Sequence, residues 1–297
     1  MLTEHLTQAP ALWTGTALIL GLCIGSFLNV VIYRLPEMMR RSWLTECREF
    51  LQEQNVAIEP HLLPHFEHPF NLAKPRSRCP GCERAIRPWE NIPVLSFLAL
   101  RGRCSQCKTR ISWRYPAIEL LTGLVSAGVI WQLGLNPQSV LIVLVSWVLI
   151  VLSMIDIDHH LLPDSITLPL LWLGLAVNSF GLFVPLTDAL WGAIVGYLCL
   201  WSVYWGFKLL TGKEGMGYGD FKLLAALGAW MGWQSLPVII LMSALSGIAI
   251  TVAQMILSGR SRHQPIPFGP YLAIAGWIAL LWRDDIVTAY LQLSGIQ

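Results

Sequence analysis

The sequence predicts an all-α, polytopic integral membrane protein with about eight transmembrane helices and one cytoplasmic, zinc-binding insertion. Three observations carry this. Hydrophobic residues fill 55% of the 297 positions and charged residues only 13%, about half the charge of an average globular chain. Uncharged apolar runs recur, and about 20 such residues cross a bilayer as a helix. The polar residues are concentrated: Arg34–Arg114 holds 14 Lys+Arg and 8 Asp+Glu, against 6 and 10 in the rest. This balance disfavours a secreted disulfide scaffold, a disordered chain and a simple soluble enzyme. A basic segment can serve nucleic acid, but one set between membrane spans marks a cytoplasmic face. A lipid bilayer and no nucleic acid is the expectation.

Ala11–Tyr33 carries no charge before Arg34, has Glu4 and His5 ahead of it instead of a basic region, and outruns a signal-peptide core. It reads as a retained span. The insertion, residues 34–114, follows. Further spans are Ala117–Leu133, Ser139–Ile155, Ile166–Val184, Ala189–Leu210, Gly215–Trp233, Pro237–Leu257 and Tyr271–Trp282. Eight spans put both termini on one side and the insertion on the other. Lys208, Lys213, Lys222, Arg260 and Arg262 then join the insertion's side, and only Arg283 dissents. Lys and Arg accumulate on the cytoplasmic side, so the insertion is cytoplasmic and the termini lie outside. Trp131, Trp233 and Trp282, near span ends, fit interfacial belts.

Four of the seven cysteines form two Cys-x-x-Cys pairs, Cys79/Cys82 and Cys104/Cys107, with 21 residues between them. Paired thiols at this spacing read as a tetrahedral zinc site. A cytosolic face argues against two disulfides, and no thioredoxin-like unit supports a redox pair. Four thiolates leave no open position, so the metal is structural. Cys23, Cys47 and Cys199 read as small apolar packing residues. His61, His65 and His68 alternate with prolines and read as loop residues, not a second metal site.

Ionisable groups inside spans mark function by default. Asp156 lies about 26 Å along its helix from Ser139, at 1.5 Å per residue, near the cytoplasmic edge. Asp220 follows Gly217-Tyr218-Gly219, and the apolar run after it ends at Trp233, too short to cross alone. Its span therefore begins near Gly215, which puts Asp220 at the same edge. Two carboxylates at close range share a proton, and can act as base toward a water and acid toward a carbonyl. Gly217 and Gly219 would let an extended backbone approach. The competing readings are boundary acids paired to Lys222 or to helix N-termini, and a proton relay.

Ile155-Asp156-Ile157-Asp158, Leu161-Leu162-Pro163-Asp164 and Gly217-Tyr218-Gly219-Asp220-Phe221-Lys222 resemble the type IV prepilin leader peptidases. So do Gly25-Ser26-Phe27-Leu28-Asn29, Arg114-Tyr115-Pro116 with Glu119, and Pro267-Phe268-Gly269-Pro270. The resemblance runs from first span to last and includes the four cysteines. It implies catalytic Asp156 and Asp220, with Asp158, Asp164, Glu119 and Lys222 in support. It implies cleavage of the basic leader of type IV prepilins and type II secretion pseudopilins at the cytoplasmic face of the bacterial inner membrane. Methylation of the new amine by S-adenosylmethionine follows, and no glycine-rich motif locates that cofactor. The implied organisation is a first span within 1–33, a zinc and methyltransferase insertion at 34–114, and an aspartyl peptidase core at 115–297. A proton- or metal-coupled carrier predicts inverted repeats and mid-bilayer acids, and neither is found. A noncatalytic pilus assembly factor predicts dispensable aspartates.

Overall fold

The computed structural model of the chain describes residues 10–56, 66, 69–258, 266–282, 285, 288 and 292. His61, His65, His68, Arg260, Arg262 and Arg283 fall outside them. Nine α-helices are described: α1 Pro10–Glu53, α2 Leu95–Ala99, α3 Arg114–Leu133, α4 Pro137–His159, α5 Asp164–Ser179, α6 Leu186–Thr211, α7 Tyr218–Met231, α8 Leu236–Ser258 and α9 Gly269–Leu281. No strand occurs among the described residues beyond two isolated bridges. Contacts divide the chain into two units, residues 9–128 and 129–297.

Among the described residues, five stretches are long and apolar enough to cross a membrane: α1, α3, α4, α6 and Trp233–Leu257. The other three predicted spans form shorter helices, α5 of 16 residues, α7 of 14 and α9 of 13. For α7 the difference has a local reason. Gly212 ends α6 at φ 69°, and extended Gly217 precedes Tyr218, so the helix starts three residues later than Gly215. Asp220 therefore lies in its first turn.

In the N-terminal unit, α1 does not stop where its charges begin. It continues 20 residues beyond Tyr33, through Pro36. Glu37 pairs with Arg40 and Arg41 at 2.8 Å along one helix face, and such i,i+3 and i,i+4 pairs support a helix. Cys23 and Cys47 are exposed on α1, so the apolar-packing expectation fails for them. Buried Arg34 gathers the following segment, donating to Asn71 O at 2.8 Å and Pro75 O at 2.6 Å. Gly21 and Gly25 press α1 onto α3. A Cβ on Gly21 would lie 2.8 Å from Gly123 Cα, and one on Gly25 2.7 Å from Glu119 Cα.

The two cysteine pairs occupy two copies of one turn. Arg78 bridges to Ala85, and Arg103 to Arg110. Cys79 N donates to Arg84 O and Cys104 N to Thr109 O, both at 2.9 Å. Glu83 and Lys108, each following a second cysteine, have φ 55° and 60°. One side-chain cluster ties the copies together. Arg84 Nη2 donates to both oxygens of Glu90 (2.7 and 2.8 Å) and to Ser105 Oγ (2.6 Å), and Ser105 Oγ donates to Glu90 Oε1.

In the C-terminal unit, α7 is the centre. From Phe221 to Met231 only Lys222 escapes burial. Helices α5, α6 and α9 pack around it. Gly192 of α6 and Gly228 of α7 meet backbone to backbone, so a Cβ on either would run into the other's carbonyl. One turn on, a Cβ on Gly196 would lie 2.8 Å from Leu224 O. Gly174 of α5 lies against Trp230, and Gly276 of α9 against Leu227. Small residues spaced by four allow this approach of helix backbones. Asn178 closes the far end, donating to Ala229 O and Trp230 O and accepting from Phe183 N and Val184 N.

Two expectations follow. Gly192→Val forces α6 from α7, and overpacking of this kind costs about 1–3 kcal/mol. Thermal unfolding in detergent should show a lowered midpoint, while Gly206→Ala, with nothing within 4 Å, should not lower it. Hydrogen bonds from Ser105, Arg84 and the Arg87 backbone hold the Glu90 carboxyl down at about 2, against an ordinary 4.5. A depressed carboxylate contributes stability above its ordinary pKa and loses it as pH falls through the folded value. The unfolding midpoint of Glu90→Gln should therefore lie below wild type near pH 7. The gap should close between about pH 4.5 and about 2. A gap independent of pH would mean that Glu90 acts by shape alone.

Candidate active site and metal centre

Asp156 and Asp220 come from different helices and are both buried, 6% and 7% exposed. Asp156 lies in the last turn of α4, where the helix's own dipole opposes a carboxylate. The start of α9 offsets this: Gly269 N donates to Asp156 Oδ2 at 2.9 Å. The prolines of Pro267-Phe268-Gly269-Pro270 open that helix, and a Cβ on Gly269 would lie 2.7 Å from the same oxygen. Asp220 occupies the first turn of α7, where the dipole favours it. The two acids share a neighbourhood. Leu162 lies against Gly219, beside Asp220, and against Gly269, on Asp156. Asp156 also acts on Asp220 electrostatically.

The supporting candidates divide. Lys222 pairs with Asp164 at 2.6 Å, not with either buried acid, so the boundary-pair alternative with Lys222 does not hold. Asp164 begins α5, and its bridge joins α5 to α7 beside the site. Asp158 is exposed, one residue before the end of α4. Gly219 is tight against Leu162, so packing explains its missing side chain. Gly217 has space, the nearest atoms to an added Cβ being 3.8 Å away. Glu119 belongs to the N-terminal unit, where it accepts Val94 N–H at 2.8 Å.

The four cysteine sulfurs converge within 4.8 Å of one another, and Cys79 Sγ lies 3.6 Å from Cys107 Sγ. A metal at about 2.3 Å from each of four tetrahedral sulfurs sets them about 3.8 Å apart, so the set fits one ion. Local donors prepare the thiols unequally. Thr109, through its hydroxyl and its backbone, holds Cys107 down at about 6. The backbone N–H groups of Cys107 and Gln106 hold Cys104 below its ordinary value. Cys82 has a lowering hydrogen bond from the Arg84 backbone, yet burial and its three neighbours push it up to about 11. Four ionised thiols need a cation among them. Arg84 Nε is buried without a hydrogen-bond partner, and Arg84 also acts on Cys104. An unused cationic donor beside the cluster suits the net negative charge of a four-thiolate metal centre.

Sequence reasoning quoted Pro267–Pro270 without assigning the Gly269 N–H. The proline-flanked glycine before an apolar run was the available signal, since it marks a helix start. Arg84, Glu90 and Ser105 carried no separate signal.

Comparisons with known proteins agree with this division. The family described as Bacterial Peptidase A24 N-terminal domain matches residues 19–133. The Type IV leader peptidase family matches residues 143–252. A protein of Stutzerimonas stutzeri named prepilin leader peptidase/N-methyltransferase is 57% identical, covering 98% of both chains. Proteins of that name from Pseudomonas aeruginosa and Xanthomonas campestris pv. campestris are 54% and 45% identical. They cover 100% and 98% of this chain and 99% of their own length. No solved structure matches significantly. With full-length identity of this order and a match in each half, this chain belongs to the type IV leader peptidase family.

Proposed function

We propose that this protein removes the basic leader from type IV prepilins and type II secretion pseudopilins, and then methylates the new N-terminal amine with S-adenosylmethionine. The carrying observation is a pair of buried carboxylates from two helices, Asp156 held by the first N–H of α9 and Asp220 in the first turn of α7, with no salt bridge to either among the described residues. In the family's full-length relatives this chemistry has its name.

Asp156 and Asp220 act as one pair holding one proton. The ionised member takes a proton from water, and the protonated member gives one to the oxygen of the scissile carbonyl. Which acid starts protonated is a property of the pair. The Gly269 N–H orients Asp156, and the Lys222–Asp164 bridge ties α7 to α5. Open space beside Gly217 suits an extended substrate backbone. Cys79, Cys82, Cys104 and Cys107 hold zinc as a structural ion, which fastens the two knuckles and supplies no chemistry to either reaction.

The protein is placed in the bacterial inner membrane with the insertion and the acids on the cytoplasmic side. The three shorter helices α5, α7 and α9 join the five longer spans as crossings. In this reading 1–33 holds the first span, 34–114 with its junction into α3 the zinc and methyl-transfer region, and the remainder of 115–297 the peptidase core. A basic leader retained by positive-inside charge, followed by an apolar stretch, presents its cleavage point at the membrane edge.

Purified protein in detergent, incubated with a prepilin and read by intact mass, tests this. Asp156→Asn and Asp220→Asn should each lower leader loss by about 10²–10⁴-fold, the usual worth of acid–base catalysis, with unchanged unfolding. Full cleavage by either would remove the pair. Gly269→Ala should slow cleavage by displacing Asp156. Cys82→Ser should lower zinc content below one ion per chain and expose the insertion to proteolysis. It should reduce cleavage only through that loss of structure.

A further inference from the structure

The N-terminal unit buries a carboxylate of its own. Glu119, in the second turn of α3, is 8% exposed. It accepts the Val94 N–H, at 2.8 Å. That donor is neutral, and among the described residues Glu119 forms no ion pair. One neutral donor leaves most of a carboxylate's acceptor capacity unused. A buried carboxylate of this kind calls for a cation.

The surroundings are rigidly built. Val94 is β-branched, yet it stands at φ 58°, ψ −47°. Such strain persists only where neighbours enforce it, and it gathers at functional sites. Glycine brings α1 against Glu119 itself, a Cβ on Gly25 lying 2.7 Å from Glu119 Cα. Asn29 donates to Gly25 O at 3.2 Å and to Tyr115 O at 3.1 Å, locking α1 to the start of α3. Ile92 and Leu95, flanking the strained turn, and Tyr115, one turn before Glu119, are exposed apolar side chains. The ligand that matches is a primary ammonium at the head of an apolar segment. Leader cleavage, as proposed above, produces one.

We propose that Glu119 binds the new α-ammonium of the cleaved chain and takes its proton for methyl transfer. This deepens the proposed function and rests on it. The ammonium gives one proton to the Glu119 carboxylate. The freed nitrogen lone pair forms a bond to the methyl carbon of the sulfonium donor. The carbon–sulfur bond breaks, and its electron pair stays on sulfur as a neutral thioether. The product is a secondary ammonium, and Glu119 returns its proton to solvent.

The test uses the full-length protein in detergent with S-adenosylmethionine and a leaderless, unmethylated pilin. The gain of about 14 Da, one methylene, is read between pH 6 and 9, and leader loss from intact prepilin is read separately. Glu119→Gln keeps an acceptor for Val94 N–H but removes the base. It should methylate about 10²-fold or more slowly near pH 7. Its rate should rise about tenfold per pH unit until the amine deprotonates unaided, near its ordinary pKa of about 8. Glu119→Asp should recover part of the loss, and the pilin's affinity without methyl donor should fall in Glu119→Gln. A wild-type methylation rate in Glu119→Gln overturns the proposal. So does a loss that is flat with pH, or one matched by equal loss of cleavage and a lower unfolding midpoint, since each marks a merely structural role. Wild-type protein that cleaves but never adds the methyl group overturns the methyl-transfer reading itself, and this proposal with it.

Discussion

Backbone-to-backbone contact between α6 and α7 governs the C-terminal unit. Gly192 against Gly228, with Gly196 against Leu224, brings the two helices closer than any side chain would permit. At that spacing α7 can be enclosed by α5, α6 and α9, and a helix of only 14 residues becomes the core of its unit. Trp230, fully buried, fills the far end and donates to Leu170 O at 2.9 Å. Burial of Asp220, in the first turn of α7, follows from burial of the helix beyond it. An acid at that turn has backbone donors at hand and little water.

The same enclosure determines how charge is managed. Salt bridges in an apolar interior must repay a large desolvation cost, and among the described residues neither buried aspartate forms one. Asp156 is met instead by the Gly269 N–H, and Asp220 by the N-terminal dipole of α7. Peptide dipoles stabilise an anion without neutralising it, so a proton can still be exchanged. The nearby lysine is committed elsewhere, to half-exposed Asp164. A cation on either aspartate would hold it ionised.

The N-terminal unit uses different means around its cysteines. There one ionic cluster, Arg84 with Glu90 and Ser105, crosses between two copies of the same turn. The repeat makes four sulfurs converge from two short segments, and the copies need no hydrophobic core of their own. Small basic modules of this kind have too little apolar surface to fold by burial alone. The metal-ready thiols and the arginine clamp take that role.

Composition, hydropathy and cysteine spacing determine the helical membrane class, the basic character of the insertion and the four-cysteine cluster. These depend on local properties, namely apolar runs, charge asymmetry and short spacing between ligands. Asp156 and Asp220 were legible as candidates because a charge in an apolar run stands out wherever it falls. The close approaches at Gly21, Gly25, Gly192 and Gly196 came from the structure, which shows the helices they join. Periodicity misplaced the starts of α7 and the end of α1, since neither a glycine cap nor i,i+4 ion pairs register in hydropathy. Only the tertiary structure decided that α9 aims its first N–H at Asp156, that Lys222 turns to Asp164, and that Glu119 supports a strained turn 25 residues before it. Each of these joins residues distant in the chain, and such pairings are set by how helices pack, which no local pattern specifies.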